Sequence, residues 1–171
     1  ERELSSRTPL KHEKNKKYED CQQELSVSVR TREQLEVVMK IDDIARIYAD
    51  CGIFPKDRFA QSVLEVISEG KKRGKSIFLM LPHMVRDCEL NGRKEHFHEL
   101  CREGLSGFLV RNLESYGVLQ SMGLNQMAVL DANLYTMNGE SRKFWEEQGA
   151  AWDTVPLELN QKELRYRDNS C

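Results

Sequence analysis

From Glu24 onward the chain repeats one hydrophobic pattern: a short β-branched or apolar run, then a stretch with helical spacing. Leu25, Val27 and Val29 alternate as a strand. Thr31 then opens a helix, with Gln34 three residues on as a capping box and Leu35, Val38 and Met39 as its apolar stripe. Ile44–Tyr48 is a second strand, closing at Asp50. Pro55 and Asp57 open a long helix through Phe59, Val63, Leu64, Val66 and Ile67, which ends in the Gly70–Gly74 stretch. Ser76–Leu81 is almost wholly apolar, so it reads as a strand buried on both faces. A polar loop and a helix of about ten residues around Phe97 and Leu100 follow. Gly107–Val110 is the fourth strand, Leu113–Met122 a helix stopped by Gly123, and Met127–Leu130 the fifth strand. Asn138 caps a helix carrying Phe144 and Trp145 that ends at Gly149. Ala151–Val155 is the sixth strand, and Asn160 caps a last short helix.

Six strand–helix units in strict alternation predict an α/β fold with a parallel sheet. Each unit takes about 25 residues, the spacing of a (βα)8 barrel, which needs roughly 200–250 residues in all. Six units are too few to close one. The expectation is a TIM-barrel-like, incomplete (βα)8 barrel over residues 24–171, with an open doubly wound sheet as the alternative. No glycine fingerprint follows the first strand, which argues against a dinucleotide-binding sheet. The two sheet edges left open predict coverage by the N-terminal arm, by swapping, or by a homodimer contact.

Residues 1–23 stand apart. Arg7, Lys11, Lys14, Lys16 and Lys17 make this arm basic, and Leu4, Leu10 and Tyr18 are too sparse for a core, so it reads as a linker or extension. The chain opens at Glu1 without an initiator Met or a signal-peptide pattern, as a piece of a longer parent would.

Composition narrows the function classes. Of 171 residues, 39% are apolar and 32% charged, enough to form a core in water. Lys and Arg total 26 against 28 Asp and Glu, a net charge of -2, so no whole-molecule field draws the chain to nucleic acid or an anionic membrane. No apolar run approaches the roughly 20 residues of a membrane span. The five cysteines (Cys21, Cys51, Cys88, Cys101 and Cys171) form no CxxC pair and have neither zinc nor iron–sulfur spacing. That pattern fits a reducing, cytoplasmic compartment, with no cofactor and no metal held by these residues.

In a parallel α/β fold, binding and catalytic groups gather at the carboxyl ends of the strands. Those ends carry Asp50, then Pro82-His83-Met84-Val85-Arg86-Asp87, then Arg111 and Asn112, then Asp131-Ala132-Asn133 with Asn138, then Glu158 and Asn160. Asp131 and Glu158 would place carboxylates on a shared rim with His83 and Arg86 beside them, a set that suits acid–base chemistry or the holding of a divalent metal. Arg111, Asn112, Asn133 and Asn160 would contact substrate. Asn133, Asn138 and Asn160 also suit helix N-caps. His96 and His98 lie two apart on a helix and cannot share a metal. No GxSxG, HExxH or CGxC string is present.

Three strings in order carry a resemblance: Leu81-Pro82-His83-Met84-Val85-Arg86, Asp131-Ala132-Asn133-Leu134-Tyr135 through Asn138, and Glu158-Leu159-Asn160 through Glu163. Together with Leu25-Ser26-Val27-Ser28-Val29 and Glu33-Gln34-Leu35, they resemble the later barrel segment of the collagenase-like peptidase family, peptidase family U-32. The resemblance spans about residues 24–168. It implies a barrel-like scaffold and a hydrolase acting on peptide bonds. Some members of the family resemble iron–sulfur enzymes that hydroxylate RNA bases or quinone precursors. An iron–sulfur cluster would then sit in the full-length parent, since the clustered cysteines are not among these residues. Two functions stay open: an inactive fragment of a peptidase, and a non-catalytic module that positions peptide or RNA for chemistry done by the remainder of the parent chain.

Overall fold

The computed structural model describes residues 24–84, 90–160, 163, 164 and 167. The basic arm, Arg86, Cys21, Cys88 and Cys171 lie outside the described residues.

Among the described residues, six strands, β1 (Leu25–Val29), β2 (Ile44–Asp50), β3 (Ser76–Met80), β4 (Gly107–Val110), β5 (Ala128–Leu130) and β6 (Trp152–Asp153), alternate with helices. The helices are α1 (Arg32–Met39), α2 (Phe59–Lys72), α3 (Phe97–Arg102), α4 (Leu113–Ser121) and α5 (Gly139–Gln148). All strand pairs are parallel, and the sheet order is the chain order. A doubly wound sheet reverses its order at a switch point and carries helices on both faces. This sheet never reverses, so every crossover falls on the same side and the sheet curls into an incomplete TIM-like barrel. One face is covered by helices and the other is concave.

The covered face holds the main core. Ile47 and Ala49 of β2, Ile77 and Leu79 of β3, Phe108 and Val110 of β4, and Ala128 and Leu130 of β5 all point toward the helices. They meet Leu35, Val38, Val63, Ile67, Phe97, Leu100, Leu119 and Trp145. The concave face has a small core of its own, made by Phe78, Met80, Leu109 and Val129 with Tyr48 against them. This accounts for the burial of β3 on both faces that its apolar run predicts.

Local chemistry sets the boundaries. Thr31 caps α1 by accepting the Gln34 amide at 3.2 Å, and the Gln34 side chain accepts from the Arg30 amide at 2.9 Å. Asn138 and Ser141 form a reciprocal capping box at the start of α5. Lys75, which reads from sequence as a polar residue before a strand, is buried; its ammonium donates to the carbonyls of Ile41 (2.5 Å) and Ile44 (2.8 Å), locking β3 to the entry of β2. Gly107 adopts φ +153°, and a Cβ there would lie 2.6 Å from the Met127 carbonyl oxygen and 3.1 Å from the Phe78 ring. Only glycine lets β4 approach β5 while leaving room for that ring.

Three elements differ from the pattern reading. The Pro55 helix begins as a 3-10 turn, Lys56–Arg58, before α2. The helix around Phe97 has six residues, preceded by a 3-10 turn over Lys94–His96. The sixth strand is Trp152–Asp153 alone, since β5 offers it only three residues for pairing. Among the described residues, no helix is long and apolar enough to cross a membrane.

Candidate functional site

The parallel register puts the polar strand ends on the concave rim. Asp50 pairs with Met80 across β2–β3, and Leu109 faces Val129 across β4–β5. Arg111 and Asp131 each follow a paired residue, Val110 and Leu130. Period-2 alternation therefore aims both side chains at the concave side.

Arg111 is the centre of this rim. Its side chain is only 4% exposed. Nη1 lies 3.6 Å from Asp50 Oδ2, and Nε lies 3.7 Å from Asp131 Oδ2. Nη2 donates to the Met80 sulfur at 2.8 Å. One guanidinium thus holds carboxylates from two non-adjacent strands. Each acid is also fixed by its own backbone: Asp50 Oδ1 accepts from the Gly52 amide at 2.8 Å, and Asp131 Oδ1 accepts from the Ala132 amide at 2.7 Å. Both carboxylates remain partly open to solvent, so they can still receive hydrogen bonds from a ligand.

The residues read from the strand ends divide around this centre. Arg111, Asp131 and Asn133 come together, the last donating from Nδ2 to Asp131 Oδ2 at 3.2 Å. Asn133 is not an N-cap: Asp131 caps the 3-10 turn Ala132–Leu134, and Asn133 braces the cap. Asn112 caps α4 through Ser115, and its Nδ2 donates to the carbonyls of Pro82 and His83, both at 2.9 Å, tying the loop after β3 to the start of α4. Asn160 and Glu163 satisfy each other's amides as a capping box, in line with the cap reading. His83 and Glu158 are exposed, and no described hydrogen bond or ion pair joins either to Asp131 or Arg111. The carboxylate pair that Arg111 assembles is therefore Asp50 with Asp131. Arg86 lies outside the described residues.

Below the rim, the concave face has an aromatic floor. The Tyr48 and Phe78 rings stack at 4.8 Å between centroids, and Trp152 meets Phe78 edge-on at 6.0 Å. The Arg46 guanidinium sits 5.9 Å from the Trp152 ring and is ion-paired to Glu24. Burial pushes the Tyr48 hydroxyl above its ordinary pKa, with Trp152 and Arg46 pulling weakly the other way. It is a neutral phenol at physiological pH.

Strand-end reading located Asp50 without pairing it to Asp131, and it missed Arg46, Tyr48, Phe78 and Trp152. The usable signal lay in β2, where Arg46, Tyr48 and Asp50 alternate with Ile47 and Ala49. That alternation marks a strand with only one helix-covered face. Among the described residues, no group of three or more His, Cys, Asp or Glu side chains converges as a metal site. No protein-family model matches the chain, and no curated protein matches it.

Proposed function

We propose that this chain is the substrate-holding part of a peptidase-type α/β barrel, binding an extended peptide across the concave carboxyl rim. The observation that carries the reading is the Asp50–Arg111–Asp131 arrangement. Its arginine is already matched by two carboxylates, so the rim offers acceptors for peptide N–H groups and basic side chains rather than a cation for phosphate. The strings that resemble the collagenase-like peptidases begin at this rim, with Pro82-His83 and Asp131-Ala132-Asn133. Among the described residues, the arginines on the concave side are ion-paired, Arg46 to Glu24 and Arg111 to Asp50 and Asp131. A track for a nucleic-acid backbone would carry excess positive charge. Hydrolysis itself belongs to the remainder of the parent chain, in a cytoplasmic protein.

A second reading, an RNA-positioning module of an iron–sulfur-dependent hydroxylating enzyme, is favoured by one observation. The exposed Trp152 ring, backed by the buried Phe78, offers a surface on which an unstacked base can lie. Fluorescence anisotropy with labelled gelatin-derived peptides and with single-stranded RNA separates the two. Peptide should bind the wild-type protein, and Asp131→Asn, which keeps the cap but removes the charge, should weaken it by about fivefold or more at unchanged melting temperature. Equal peptide affinity in a folded Asp131→Asn protein overturns the rim assignment. RNA binding without peptide binding selects the second reading.

A further inference from the structure

The turn after β5 holds a tyrosine in a conformation that tyrosine rarely adopts. Among the described residues, Tyr135 is the one non-glycine residue with positive φ, at φ 51° and ψ 52° in the left-handed region. The turn is fixed on both sides of it. Its amide donates to the Ala132 carbonyl at 3.1 Å, and its carbonyl accepts from the Met137 amide at 2.7 Å. Thr136 beside it is buried, its hydroxyl donating to Asp153 and accepting from Arg167 Nη2. Asparagine or glycine would end the Ala132–Leu134 turn with less strain. Core packing does not explain the tyrosine either, since the residue is 55% exposed. A strained residue that lies largely in water calls for a reason outside the fold.

Tyr135 has company at the same end of the sheet. Met84 after β3, Leu113 at the start of α4, Met137 after β5 and Leu157 after β6 are exposed as well. Among the described residues, the loops at the amino ends of the strands expose one large apolar side chain, Ile41. Single exposed apolar residues are ordinary, but a bias to the end that carries the candidate site is not. Rim bonds hold these loops together. Asn112, which precedes Leu113, donates to the carbonyls of Pro82 and His83, just before Met84. Arg111 is ion-paired to Asp131, which opens the turn that Tyr135 closes. The apolar side chains therefore share the rim with the partly open carboxylates of Asp50 and Asp131.

We propose that Tyr135, with Leu113 and Met84 beyond it, is the specificity element of the peptide site, selecting a large apolar side chain two positions from a basic one. This rests on the peptide reading of the rim. In an extended peptide, residues two apart point the same way, so a basic side chain directed at Asp50 and Asp131 sends its second neighbours toward the apolar side chains. The Tyr135 ring supplies contact area with few torsions to freeze, and the fixed turn presents it already ordered.

The test uses fluorescence anisotropy with labelled five-residue peptides that carry a central lysine between two alanines, with leucine at both ends of one and alanine at both ends of the other. The leucine peptide should bind the wild-type protein about tenfold or more tightly. Tyr135→Asn relieves the backbone strain and removes the ring. It should reduce that preference to about threefold or less, with the melting temperature equal to the wild type's or higher. Tyr135→Phe should keep the preference. A merely structural tyrosine predicts the opposite, an unchanged preference in a folded Tyr135→Asn protein, and that result overturns the inference. Loss of the preference in Tyr135→Phe also overturns it, because the hydroxyl and not the apolar ring would then be responsible. Equal binding of the two peptides to the wild type, with both weakened by Asp131→Asn, overturns the specificity element and leaves the peptide rim standing. No binding of either peptide overturns both. Should Tyr135→Asn lower the melting temperature, Leu113→Ser decides by the same ratio: a reduced preference supports the inference and a retained one overturns it.

Discussion

Replacing Arg111 by methionine tests whether the rim is an electrostatic unit. Methionine keeps most of the aliphatic stem beside Met80 but removes the charge that faces Asp50 and Asp131. At 3.6 and 3.7 Å, each ion pair has a Coulomb energy of about 4–5 kcal/mol at an effective dielectric of ~20. Desolvation of the buried guanidinium offsets a large part of this, so the intact triad adds little net stability. Breaking it is a different matter, because two partly buried carboxylates are left facing each other without a cation. The expected loss is about 3–5 kcal/mol, a large fraction of a typical domain's ~5–15 kcal/mol. Urea unfolding followed by tryptophan fluorescence should show a lower midpoint at unchanged slope. Adding Asp50→Asn and Asp131→Asn to Arg111→Met should recover about half of the loss or more. Asparagine still accepts the Gly52 and Ala132 amides, so the turns stay capped while the stranded charges disappear. A loss below about 1 kcal/mol in the single variant would refute this account. No recovery in the triple variant would show instead that Arg111 acts by packing.

Two further outcomes follow from local geometry. Gly107→Ala should cost about 2–3 kcal/mol in thermal unfolding, and adding Phe78→Leu should not rescue it, because the clash with the Met127 carbonyl remains; near-wild-type stability would contradict the close approach of β4 and β5. Burial pushes the Cys101 thiol from an ordinary 9.0 to about 11, so its alkylation, followed by peptide mapping, should keep accelerating up to about pH 11. Because the folded state holds this proton more tightly than the unfolded state, the thiol's contribution to stability is intact below about pH 9 and is lost as pH rises toward 11. An alkylation rate that levels off near pH 9 would contradict the burial.

The pattern of apolar positions was enough to name six strands, their alternation with helices and most of the caps. Those features depend on residues near in sequence: Thr31 with Gln34, Asn138 with Ser141, and the apolar run of β3. The list of polar strand ends was also legible, because parallel strands all turn the same way at their carboxyl ends. Which of those residues meet was decided by the register between strands. Asp50 and Asp131 are 81 positions apart in the chain, and they face one arginine only because β2 to β5 pair in chain order and the sheet curls. The same curl exposes one side of β2, so that Tyr48 and Arg46 form a concave floor with Phe78 and Trp152. Local periodicity specifies elements. Side-chain partners across strands are fixed by the shape that burial of the helix-facing core imposes on the whole sheet.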